Sequence, residues 1–168
     1  MLLPRSDTAL SDCREHLQAF PDTDPAIAAY LARHVAVVLC AEIEQAVTSL
    51  IVERVNRGCD QASRGFVRSV RKNLVRNARP GEVADTLKLF GEACHGTYES
   101  RINLDLGDEG RGRLGTIVTG RDSTAHAAPI DITFAELETA FSYAVKMVAA
   151  VEEALRGPVP LADEASQG

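Results

Sequence analysis

"DPAIAAYLARHVAVVLCAEIEQAVTSLIVERVNRG", Asp24 to Gly58, decides the fold. Asp24 followed by Pro25 is a helix start, because an aspartate accepts a hydrogen bond from an unpaired backbone N–H and proline suits the first helical position. From there Ile27, Tyr30, Leu31, His34, Val35, Val38, Ile43, Val47, Leu50 and Ile51 recur at helical spacing and keep a broad apolar face as far as Gly58. The spacing predicts a helix of about thirty residues, which at about 1.5 Å per residue spans a whole domain. His34 is expected at the edge of the core. Glu42 and Glu44 lie two apart and cannot share a helix face, so one of them is expected at the bundle edge or a dimer interface.

Working outward, the helical period continues. A second helix is predicted over Gln61–Asn77, stopped by Pro80-Gly81, and a third over Glu82–Cys94 with Val83, Leu87, Leu89 and Phe90 inward. "NLDLGDEGRGRLG" is rich in glycine and charge and reads as a mobile loop, followed by a short apolar helix, Leu114 to Val118. Thr133-Phe134-Ala135-Glu136 is a capping box. Beyond it Phe134, Leu137, Phe141, Val145, Val148 and Leu155 line one face until Gly157-Pro158. The chain is therefore expected to be all-α, a bundle with a long central helix and a long C-terminal helix. Residues 1–23 read as an N-terminal extension with a short helix, 24–156 as the helical domain and 157–168 as a disordered tail.

A chain of 168 residues is long enough for one domain with a real core. Few aromatics and no Trp lean away from β-rich folds. No secretory signal is visible after Met1, and the apolar run "VAVVLCA" (35–41) is too short to cross a bilayer. Cys13, Cys40, Cys59 and Cys94 are scattered without a CxxC pair, which suits a reduced, cytoplasmic setting. Cys13-x-x-His16 and Cys94-His95 lack a second ligand pair at zinc spacing, so no metal is expected.

The net charge of −6 hides a sharp asymmetry. Residues 1–56 sum to −4, residues 57–80 to +6 and residues 81–168 to −8. Arg64, Arg68, Arg71, Lys72, Arg76 and Arg79 fall within one sector about 140° wide if they share a helix, with Phe66, Val67, Val70 and Leu74 in another. The same pattern describes an ordinary solvated face paired with acidic neighbours. Like charges one turn apart repel by a few tenths of a kcal/mol, about what a polyanion such as RNA would relieve.

The remaining motif is "VTGRDSTAHAAP", Val118 to Pro129, in which Arg121 stands five positions before His126. On its own the pair reads as a surface cation and a structural histidine. Its place after Gly120 and before Pro129 predicts a helix-to-helix junction, where side chains and backbone N–H groups can receive a phosphate. RNA carries its own nucleophile, the 2′-OH; an imidazole titrating near neutrality can take that proton, and a guanidinium fork can hold the phosphate oxygens.

At "GRDSTAH" before a strong terminal helix the chain resembles the HEPN superfamily, small helical domains many of which are metal-independent ribonucleases marked by Arg-x4–6-His. Arg121, Asp122 and His126 match those positions. The segments "LCAEIEQAV" and "LKLFGEAC" are similar to the group called RiboL-PSP, a likeness covering residues 25 to 155. The resemblance implies a metal-independent endoribonuclease without a cofactor, cleaving RNA by 2′-OH transesterification at a site composed from two motifs of a homodimer. It also implies a role in a toxin–antitoxin, phage-defence or stress system with a possible antitoxin or defence-system partner. Asp122 caps the next turn or orients Arg121 or His126. Ala127 replaces the frequent glycine after the histidine. Ala128 replaces the tyrosine that other members offer for adenylylation, so that form of silencing is not open to this chain. The competing reading is a non-catalytic HEPN-like module that binds RNA or protein, or an antitoxin or immunity subunit.

Overall fold

The computed structural model describes residues 2–58, 61–70, 74, 75, 77–124 and 132–157, with the backbone alone at 62, 66 and 120–124. Among these residues there are seven helices and no strand: α1 (Pro4–Ala19), α2 (Pro25–Gly58), α3 (Gln61–Val70), α4 (Pro80–Lys88), α5 (Glu92–Asp105), α6 (Gly107–Thr124) and α7 (Phe134–Arg156). The all-α bundle expected from the sequence is the fold.

α2 is the strut, 34 residues long and so roughly 50 Å. It starts where its sequence says: Asp24 Oδ1 accepts from Ala26 N at 2.7 Å, with Pro25 in the first turn. α7 runs parallel to it. Phe134 meets the Pro25–Ala32 end of α2, and at the other end the Arg54 guanidinium donates to the Gly157 carbonyl. The expected capping box is present: Glu136 N donates to Thr133 Oγ1 at 3.3 Å and Thr133 N to Glu136 Oε2 at 2.8 Å. These hydrogen bonds hold the Glu136 carboxyl below its usual range. Leu39, Ile43, Val47 and Ile51 of α2 meet Leu137, Met147, Val151 and Leu155 of α7 in one core.

α1 lies antiparallel on α2, and its Leu10 and Cys13 join that core. Its N-cap position is Leu3, which has no side chain able to cap. Glu42 of α2, 5 % exposed, performs that task from across the interface. Its carboxylate accepts from Arg5 N at 2.9 Å, Ser6 N at 2.7 Å and Ser6 Oγ at 2.6 Å. The expectation that one of the glutamates faces an edge therefore does not apply to Glu42, which is an internal helix cap.

Three expected boundaries change. α3 ends at Val70, not Asn77, and Leu74, Val75 and Asn77–Arg79 are not helical. Pro80 disfavours helical backbone at Arg79, which is extended (φ −73, ψ 135), while Val75 and Ala78 anchor the segment in the core. The helix expected over Glu82–Cys94 is two, because Gly91 sits at φ 101, where side-chain-bearing residues rarely go. The glycine-rich stretch read as a mobile loop is helical apart from a one-residue break at Leu106 between α5 and α6, with Gly107 at φ 59 opening α6. Asp108 and Glu109 then stand in the first turn of α6, where the helix dipole favours them. The short helix expected over Leu114–Val118 is thus the middle of an 18-residue one.

Candidate nucleic-acid site

α6 carries the motif. Leu114, Ile117 and Val118 bury its middle in the core, and Arg113, Thr116 and Ile117 share a small groove with Ile132 and Glu136 at the start of α7. Since Ile117 is already level with Ile132, the last turns of α6 extend past the start of α7. Arg121 and Asp122 stand in that final helical turn, not in a junction after Gly120. His126, at position 126 of the segment that returns to Ile132, lies outside the described residues, as does Pro129.

One member of the basic block reaches this end of α6. Arg79 Nη2 donates to Thr119 Oγ1 at 3.1 Å, and Thr119 is two residues before Arg121. Thr119 Oγ1 in turn donates to the Gly115 carbonyl at 2.8 Å, which fixes the hydroxyl as a seat for the guanidinium. The position of Arg79 follows from its surroundings. Buried Ala78 and Pro80 flank it, and the Tyr98 hydroxyl, itself buried, donates to the Pro80 carbonyl at 3.1 Å. Asn77 Nδ2 holds the Glu82 carboxylate at 2.9 Å and 3.0 Å, and that carboxylate stands 4.0 Å from Arg79 Nη1. The guanidinium is thus positioned by a core segment yet 41 % exposed.

The other cations are distributed differently from expectation. Arg64 and Arg68 are exposed one turn apart on α3, which packs against α2. Arg71, Lys72 and Arg76 lie outside the described residues. A single helical sector of six cations does not form, because Leu74, Val75 and Asn77–Arg79 are not helical. The structure seats Arg79 on Thr119, two positions before Arg121 and so on another face of α6; it leaves Arg64 and Arg68 on a separate helix. Sequence reasoning missed Thr119 and Glu82 as the residues that seat Arg79. Nothing local marks Thr119, whose partner is 40 residues away.

His34 is exposed rather than at the core edge, and lines a shallow surface depression with Tyr30, Arg33 and Val37. Cys13 and Cys40 are buried in the bundle, and burial pushes the Cys13 thiol up. Among the described residues no three His, Cys, Asp or Glu side chains cluster as metal ligands.

The sequence model of one protein family, described as RiboL-PSP-HEPN, matches residues 6–157. That range contains the Glu42 cap, Arg79 and the whole Arg121–His126 motif. No curated protein and no solved structure matches the chain.

Proposed function

The chain belongs to the RiboL-PSP-HEPN family, and from that premise we propose that it is an endoribonuclease whose site is built from Arg121 and His126 of two copies. The observation that carries the proposal is the Arg121-x4-His126 motif within the matched range, its arginine in the last turn of α6. A guanidinium at the end of α6 suits a phosphodiester, which must bind there as an anion and acquire further negative charge as it reacts.

The chemistry follows from the residue types. Neutral His126 takes the proton of the 2′-OH as that oxygen attacks phosphorus. Arg121 holds the non-bridging oxygens. The P–O5′ bond breaks, and the departing 5′ oxygen takes a proton from the imidazolium of the second copy's motif, leaving a 2′,3′-cyclic phosphate and a 5′-OH end. The RNA supplies its own nucleophile, so this route uses no activated water, metal ion or cofactor. Asp122, next to Arg121, orients it or caps the chain where α6 ends. Arg64, Arg68, Arg71, Lys72, Arg76 and Arg79 are proposed to hold the strand. A cytoplasmic RNA target, a homodimer and a defence or toxin–antitoxin setting belong to the same proposal.

Labelled RNA incubated with the purified chain in EDTA tests it. Cleavage is expected, with cyclic-phosphate ends; a substrate with a 2′-deoxy residue at the scissile position resists. Arg121→Ala and His126→Ala each are expected to lower the rate by at least about a hundredfold, the scale of losing a transition-state donor or a general base. Tight binding of RNA with no product, unaltered by either substitution, would instead make the chain a non-catalytic RNA-binding member.

A further inference from the structure

α2 is apolar nearly all round, and such a helix is ordinarily enclosed on every side. One side of it meets the core through Val35, Ala36, Leu39, Cys40 and Ile43. The other carries Ile27, Tyr30 and Val37, which are 51 %, 67 % and 41 % exposed. His34 and Ala41, also exposed, complete a line with them. The positions 27, 30, 34, 37 and 41 alternate steps of three and four, the average of 3.5 that keeps a seam facing a second helix.

We infer that this stripe is the surface on which a second copy of the chain docks, α2 against α2. The inference rests on the two-copy reading of the ribonuclease site and names a face by which the copies meet. Among the described residues the other exposed large hydrophobic side chains, Leu2, Phe20, Leu89 and Leu104, form no such repeat on a helix. The matching repeat that a helix partner must offer is therefore found on the stripe itself, and a two-fold interface uses one patch twice. The five positions of the stripe contain no Lys, Arg, Asp or Glu, so the seam itself opposes no like charges, and Arg33 stands at its edge.

Phe20, 59 % exposed, borders a groove with Ile27 and His16 and widens the patch. The uncovered parts of Phe20, Ile27, Tyr30 and Val37 amount to roughly 400 Å² per copy, taking about 200 Å² for a whole aromatic side chain and somewhat less for an aliphatic one. That is about half of the 800 Å² each partner of a stable dimer commonly buries, and Ala26, Arg33, His34 and Ala41 around them supply more.

Light scattering coupled to size exclusion, on the RNA-free full chain at micromolar concentration, tests the inference. The native chain is expected to elute with the mass of two copies. Tyr30→Glu with Val37→Glu is expected to halve that mass at unchanged helicity, whereas Leu104→Glu, at an exposed site on α5, keeps it. Should the double glutamate variant lose helicity, Ile27→Ser with Tyr30→Ser gives the same reading with smaller side chains. A native mass of one copy overturns the inference, as does a dimer that survives both stripe variants. Monomer that floats with lipid vesicles overturns it in favour of a bilayer, since by length and composition alone α2 could cross one. The mass is read without RNA, so a dimer that cleaves nothing defeats the nuclease proposal and leaves this one standing.

Discussion

At Glu42 one carboxylate takes four hydrogen bonds from the first turn of α1, from Arg5 N, Arg5 Nε, Ser6 N and Ser6 Oγ. Burial pushes its pKa up, and is the largest single influence; the four hydrogen bonds together outweigh it and hold the group below its ordinary value. A carboxyl whose folded pKa is depressed contributes stability above the unfolded pKa and loses it as pH falls through the folded one. Glu42→Gln is therefore expected to cost about 1–3 kcal/mol at neutral pH, since an amide cannot accept at both oxygens and leaves a buried donor unmet. The deficit should shrink as pH falls below the ordinary glutamate value of about 4.3 and vanish once pH passes the lower value of the folded carboxyl. Urea unfolding of both proteins across that range checks it; a deficit independent of pH would deny the carboxylate its part. The sequence shows the spacing of Glu42 and Glu44 but not this role. The donors lie 36 and 37 residues away, and an N-terminus capped from another helix leaves no local signature. At the candidate site Arg121 and His126 were legible because the motif is a spacing along the chain, whereas the seat of Arg79 on Thr119 is purely tertiary.

Elements were legible in proportion to how local their signals are. The Asp24-Pro25 start and the Thr133–Glu136 box are each complete within four residues, and both helices begin there. Glycine misled, because the sequence cannot distinguish a glycine that bends the chain from one that lets two helices approach. Gly107, at φ 59, is of the first kind. Gly110 is of the second: a Cβ there would stand 2.8 Å from Leu106 Cβ and 3.0 Å from Tyr143 Cδ1, where α6 crosses α7. Gly110→Ala is expected to destabilise the bundle by about 1–3 kcal/mol through overpacking. Gly112 and Gly115, on the same helix, have nothing within 4 Å of such a Cβ. Gly112→Ala should therefore gain about 0.5–1 kcal/mol from helix propensity and reduced unfolded-state entropy. Thermal or urea melts of the two variants give opposite signs if α6 is a packed helix, and small changes of one sign if the stretch is the loop its composition suggested. Six cations share one helical face only if the helix runs on to Pro80, whereas Val75 and Ala78 draw the chain into the core before it.

For the whole molecule, charge and apolar surface are both unevenly placed, and the two asymmetries point to different partners. The exposed stripe on α2 is uncharged along its line, whereas residues 57–80 carry +6 in a chain of −6. An acidic protein repels RNA at long range, so the proposed binding depends on the short basic block and on screening of the rest. Each cation that neutralises a phosphate of a single strand releases counterions and adds about 0.7 to the slope of log affinity against log salt. If Arg64 and Arg68, both exposed on α3, contact the strand, replacing both with Ala should reduce that slope by about 1.4 and weaken binding most at low salt. Cleavage positions should stay where they are, because neither residue is near the turn that carries Arg121. The measurement is anisotropy titration of a labelled single-stranded RNA at several salt concentrations, with His126→Ala as the background so that the strand survives. An unchanged slope would remove α3 from the path of the RNA. The strand would then run from Arg79 along the end of α6, and the exposed arginines of α3 would be a solvated face.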